Sequence, residues 1–119
     1  MLTFYVTASL FGQNQRLADS LEIVYNSGNY EASEKLAILK NIVANKADVA
    51  EAISYANILL SEAQALDSVY YIISAYLEIG NAHRLHGDYS KALETFFSAA
   101  ELAISEENAV DLALTQIAI

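Results

Sequence analysis

The sequence predicts an all-α fold, a stack of antiparallel helical hairpins with about six helices, and three observations carry that prediction. Proline is absent and only 4 glycines occur in 119 residues, so little in the chain interrupts a helix. Apolar residues recur at spacings of three and four from Arg16 onward. The polar breaks between these runs are only a few residues long, which makes consecutive helices antiparallel neighbours.

The first element stands apart. Residues 2–11, LTFYVTASLF, form an uncharged apolar run ahead of the first charge at Arg16. The run is too short to span a bilayer as a helix. It reads as the hydrophobic stretch and cleavage region of a secretory signal peptide, with Ala8, Ser9 and Gly12 as small residues near its end, although the basic start is missing. Residues 1–15 are therefore expected to be a signal-peptide remnant or an N-terminal extension, and residues 16–119 the helical domain. With a signal remnant the protein is exported; with an amphipathic capping helix instead, it is cytoplasmic.

Six helical segments follow, over residues 16–26, 30–45, 48–66, 68–86, 89–105 and 108 to the end. Asn26, Ser27, Gly28 and Asn29 mark the first turn. Asp48 with Glu51 three residues on matches a capping box, in which each side chain satisfies a backbone N–H left free at the helix start. Asp67 or Ser68 is expected to cap the fourth helix. Gly87 is placed to end that helix in the left-handed conformation, and Asp88 to cap the next.

A fixed repeat period separates a solenoid from a closed bundle. The stretch YLEIGNAHRLHGDYSKALETFFSAAEL, with Tyr76, Ile79, Gly80 and His83 ahead of the turn Gly87, Asp88, Tyr89 and with Ala92, Phe96 and Ala99 behind it, closely resembles a tetratricopeptide repeat. The resemblance implies a helix-turn-helix hairpin in which Gly80 and Ala92 allow close approach and Phe96 fills the space beside them. A weaker copy precedes it: Asp48, Ala52, Ile53, Tyr55, Ala56, Leu59 and Leu60 are in register with Asp88, Ala92, Leu93, Thr95, Phe96, Ala99 and Ala100. Downstream, Leu114, Ile117 and Ala118 are in register with Tyr76, Ile79 and Gly80. Lys40 falls where a small residue is expected, so the helix at 30–45 is a degenerate partner, and residues 16–26 do not fit the pattern. The long period is similar to repeats in the sensory portions of bacterial histidine kinases and nucleotide cyclases.

The resemblance implies a concave groove lined by Ser74, Leu77, Asn81, Arg84 and Leu85, with Asn81 at the position where an amide holds a peptide backbone. Leu77 replaces the lysine with which chaperone-tail-binding members clamp a carboxylate. Tyr55, Tyr76 and Tyr89 fall at packing positions, while Tyr70 and Tyr71 are open to packing or to a partner.

Charge and composition limit the function classes. The formal charge of −9 arises wholly after Ala47, since residues 1–47 hold four basic and four acidic side chains and residues 48–119 hold two basic and eleven acidic. Such a surface repels phosphate backbones and anionic lipid headgroups, so neither nucleic acid nor a membrane surface is an expected partner. Cysteine is absent. His83 and His86, with Asp88 nearby, are the one conceivable metal set, but the repeat register assigns His83 to the hairpin core and no metal or other cofactor is expected. No nucleophile elbow or glycine-rich phosphate loop occurs, and the chain is not expected to be an enzyme. The expected function is a scaffold that binds a neutral or basic protein or peptide, with self-association possible through exposed ends of the array. The alternative is a sensory or dimerising region of an exported or membrane-tethered signalling enzyme, a histidine kinase or nucleotide cyclase, whose catalytic domain lies outside this segment.

Overall fold

The computed structural model describes the backbone of residues 2–118 and the side chains of residues 14–107. The described residues are all-α, with five helices: α1 (Leu2–Ser27), α2 (Ala32–Asn45), α3 (Val49–Ala65), α4 (Val69–Leu85) and α5 (Tyr89–Ala118). Each packs against the next, and α2 also touches α4.

The difference from six helices has a local cause. Three of the four connections contain a residue in the left-handed region: Gly28 at φ 72°, Asp67 at φ 52° and Gly87 at φ 87°. Residues 105–108, Ser-Glu-Glu-Asn, offer no glycine, and glutamate propagates a helix well. The predicted fifth and sixth helices are therefore one, α5. Gly12 likewise lies inside α1, so residues 2–15 and 16–26 share a helix. A single glycine weakens a helix by about 1 kcal/mol without stopping it. The predicted matches at Leu114, Ile117 and Ala118 lie outside the described side chains.

The two turns that flank α4 are built alike. Ser68 N–H donates to the Ala63 carbonyl at 3.0 Å and Asp88 N–H to the His83 carbonyl at 2.8 Å, while Asp67 N–H reaches Gln64 and Gly87 N–H reaches Arg84. Each closes a helix C-terminus by turning its last free carbonyls inward. Asp67 thus ends α3 instead of capping α4, and Ser68 occupies the cap position without a side-chain bond. At α3, Asp48 Oδ1 accepts from Glu51 N–H at 3.0 Å, half of the expected capping box. The Glu51 carboxylate turns to Lys46 instead, at 3.1 Å. Asp88 likewise directs its carboxylate toward Lys91, at 3.7 Å.

The core joins α2, α3 and α4. Leu36 and Leu39 of α2 meet Leu59 and Ala63 of α3 and Ala75 of α4, and Val43, Ala56 and Ile79 form a second cluster. Of the residues paired by the forty-residue register, Ala52 and Ala92 are both buried, as are Leu59 and Ala99, whereas Ile53 and Leu60 are partly buried and their counterparts Leu93 and Ala100 are exposed. Tyr55 and Tyr76 are partly buried as expected, and so is His83. Tyr89, expected at a packing position, is instead 70% exposed, standing as the first residue of α5 after the Gly87 turn.

At Gly80, α5 comes close against α4. A Cβ added there would lie 2.7 Å from Phe96 Cε1 and 2.8 Å from Cδ1. The first hairpin inverts this pair in register, with Lys40 at the position of Gly80 and Ala56 at the position of Phe96, which relieves the need for a small residue in α2. Gly80→Ala adds about 1 kcal/mol of helix propensity but overpacks the ring contact, a penalty of about 1–3 kcal/mol. The overlap dominates, so the expected result is a net loss of about 1 kcal/mol by urea unfolding, turning into a gain in a Phe96→Leu background. A stabilised Gly80→Ala in the wild-type background would contradict the close approach.

Candidate binding groove

The five residues predicted to line a groove all lie on α4, and the structure divides them. Asn81 and Leu85 line a cleft of about 120 Å³ together with Val43, Lys46 and Ala47 from α2 and its following turn, and with Glu78. Arg84 joins them indirectly: its Nε and Nη2 donate to Asn81 Oδ1 at 3.2 and 2.8 Å. That fork fixes the Asn81 amide and engages its acceptor, leaving the amide nitrogen to donate. Leu77 is 47% exposed and lies outside this cleft, and Leu85 is 63% exposed. Ser74 is turned inward on its own helix, its hydroxyl donating to the Tyr70 carbonyl at 2.9 Å.

Side chains not foreseen from the repeat shape the remainder of this face. Lys40 Nζ donates to the Tyr70 hydroxyl at 2.9 Å and lies 4.9 Å from that ring's centroid. Tyr70 in turn meets Tyr71 edge to face, with centroids 4.9 Å apart. The one sequence signal for this contact was negative, the lysine standing where a small residue was expected.

Glu78 is the charged residue of the cleft on α4. Burial pushes its carboxyl above the usual carboxylate range, opposed by the Lys40 ammonium. Its neutral form is therefore the one that folding favours, and the stability that protonation adds is present at low pH and lost as pH rises through the raised pKa. Glu78→Gln is accordingly expected to raise the unfolding midpoint at pH 7, with the difference vanishing near pH 3. A difference that is constant with pH would exclude this cause.

Beneath the cleft, Lys46 holds three elements together. Its side chain is only 6% exposed, and Nζ lies 2.9 Å from Glu22 Oε2 on α1 and 3.1 Å from Glu51 Oε2 on α3. The Tyr55 hydroxyl donates to the other Glu22 oxygen at 2.5 Å. Gln15 adds a further tie, accepting from Ala47 N–H at 2.8 Å. This is how α1, which fits no repeat, is fastened to the α2–α3 turn.

Among the described residues no group of three His, Cys, Asp or Glu side chains is arranged to hold a metal, and no helix is long and apolar enough to cross a membrane. These features define an all-α protein in which α2 and α4 sit side by side and flank a small polar-edged cleft. The chain matches no protein-family model, no curated protein and no solved structure.

Proposed function

We propose that this chain is a tetratricopeptide-type interaction module that docks an extended peptide or helix of another protein along α4, and that its role is binding rather than catalysis. The reading is carried by one observation: Asn81 and Leu85 share a cleft with Lys46 and Glu78, beside the Arg84 fork. The contact of α2 with α4 supports it, because a solenoid of hairpins brings the first helices of successive repeats together. In the cleft, the Asn81 amide nitrogen donates to a peptide carbonyl, Leu85 contacts an apolar side chain, and Glu78 favours a neutral or basic ligand.

The test uses a peptide selected on the wild-type chain from a display library. Combined Asn81→Ala and Arg84→Ala should weaken its binding at least about tenfold, since few residues carry most of an interface's energy. Helicity and unfolding midpoint should stay unchanged. Equal binding by the folded double variant would overturn the proposal.

A second reading, the sensory or dimerising part of an exported or membrane-tethered kinase or cyclase, is favoured by the continuity of α5 from Tyr89 to Ala118. One unbroken helix is a means of carrying a change in the groove to a following domain. A coding sequence that continues into such a domain would support it.

A further inference from the structure

The outer face of α5 is apolar and uncovered. Tyr89 is 70% exposed, Leu93 59%, Phe97 61% and Ile104 59%, and their spacings of four, four and seven place them in one stripe along the helix. Leu93, Phe96, Phe97 and Ala100 line a hollow of about 200 Å³.

The equivalent face of α3 shows how such a surface is used. The forty-residue register carries Val49, Ile53 and Leu60 onto Tyr89, Leu93 and Ala100. On α3 all three are partly buried: Val49 lines the same cleft as Ala82 and Leu85 of α4, and Leu60 packs on the cluster that contains Ile79. A helix, α4, lies on that face of α3. At Phe97 and Ile104 the two faces differ, because their counterparts Asn57 and Gln64 are exposed on α3, so on α5 the apolar stripe runs on past the positions that α3 covers.

Charge selects the occupant. On the helical wheel Glu94 and Glu101, both exposed, follow one edge of the stripe, and Glu106 and Glu107 stand beyond Ile104. Lys91 is the single basic residue among the described residues of α5, and it is turned to Asp88 at 3.7 Å. A second copy of this chain would bring the same carboxylates to the same rim, on a molecule of formal charge −9, and like charges across an interface oppose pairing. We propose that the α5 stripe docks an amphipathic helix of another protein, with its apolar seam along Leu93, Phe97 and Ile104 and its lysines or arginines against Glu94 and Glu101. This surface is separate from the α4 groove, and the two are tested separately.

The probes are two synthetic helical peptides with an identical leucine and alanine seam, one flanked by lysine and the other by glutamate. By fluorescence anisotropy on the full chain, the lysine peptide should bind at least about tenfold tighter, an advantage that shrinks at high salt. Glu94→Gln with Glu101→Gln should remove most of that advantage. Leu93→Ser with Phe97→Ser should abolish binding, whereas Asn81→Ala should leave it unchanged. If the double serine variant unfolds, Phe97→Ser alone supplies the comparison. Equal binding of the two peptides, or binding that survives loss of the apolar side chains in a folded variant, would overturn the proposal. So would sedimentation that shows the wild-type chain dimerising and the Phe97→Ser variant monomeric, which would assign the face to a second copy.

Discussion

Lys46→Ala should lower the unfolding free energy by about 2–3 kcal/mol at pH 7, because removing the cation leaves two carboxylates to be rehydrated in a partly closed site. Lys46 is 6% exposed against 30% for Glu22 and 59% for Glu51, which sets the expected loss below that of a fully buried pair. Its dependence on pH follows from the three titrating partners. The Tyr55 hydroxyl, and after it Lys46, holds the Glu22 carboxyl below the usual carboxylate range. That stability is present above the unfolded pKa of about 4.3 and is lost as pH falls through the lower folded value. Lys46 is pushed upward, chiefly by its hydrogen bond to Glu22, so its contribution is full below about 10.4 and is lost as pH rises through the folded value. Tyr55, pushed up to about 12 by burial and then by Glu22, loses its contribution on the same alkaline side. The difference between wild type and Lys46→Ala should thus be greatest between about pH 5 and pH 10 and shrink at both ends. Urea unfolding across that range measures it, and an undiminished difference at pH 2.5 would show that lost packing, not charge, is responsible.

Leu39→Ala is expected to cost about 3 kcal/mol, within the range of 2–5 kcal/mol for truncating a buried leucine. Leu39 is fully buried at the junction of α2, α3 and α4, where Leu36, Leu59, Ala63 and Ala75 surround it. Two of these neighbours are already alanines, so little is available to collapse into the space. The truncation also loosens α2 against α4, so affinity for a groove peptide should fall along with stability. A loss below 1 kcal/mol would mean that the three-helix junction relaxes more freely than its packing implies.

The helices themselves were legible because each signal for them is local. Apolar spacing placed α2, α3 and α4 to within two residues at every boundary, and Gly87 ended α4 as expected. The errors fell where two local signals compete. Asp67 has both the chemistry of an N-cap and tolerance of positive φ, and the turn used the second property. At residues 105–108 the repeat register asked for a turn, but with no glycine or proline there α5 continued.

The groove was only partly legible. Asn81 and Leu85 were placed by the repeat and do line the cleft, while Glu78, between two assigned positions, carried no sequence signal of its own. Lys40 was noticed only as an exception to the pattern, and its partner Tyr70 lies thirty residues away.

By itself, then, the sequence determined the all-α class, the helix positions between α2 and α4, and the acidity of the second half of the chain. These depend on backbone preference, residue size or composition, all of which act at short range. Tertiary structure decided that Lys46 is the buried tie between α1 and α3, that Arg84 holds Asn81, and that the stripe from Tyr89 to Ile104 faces outward. Each of these depends on which side chains meet, or fail to meet, once separate helices are brought together, and residue spacing does not encode that.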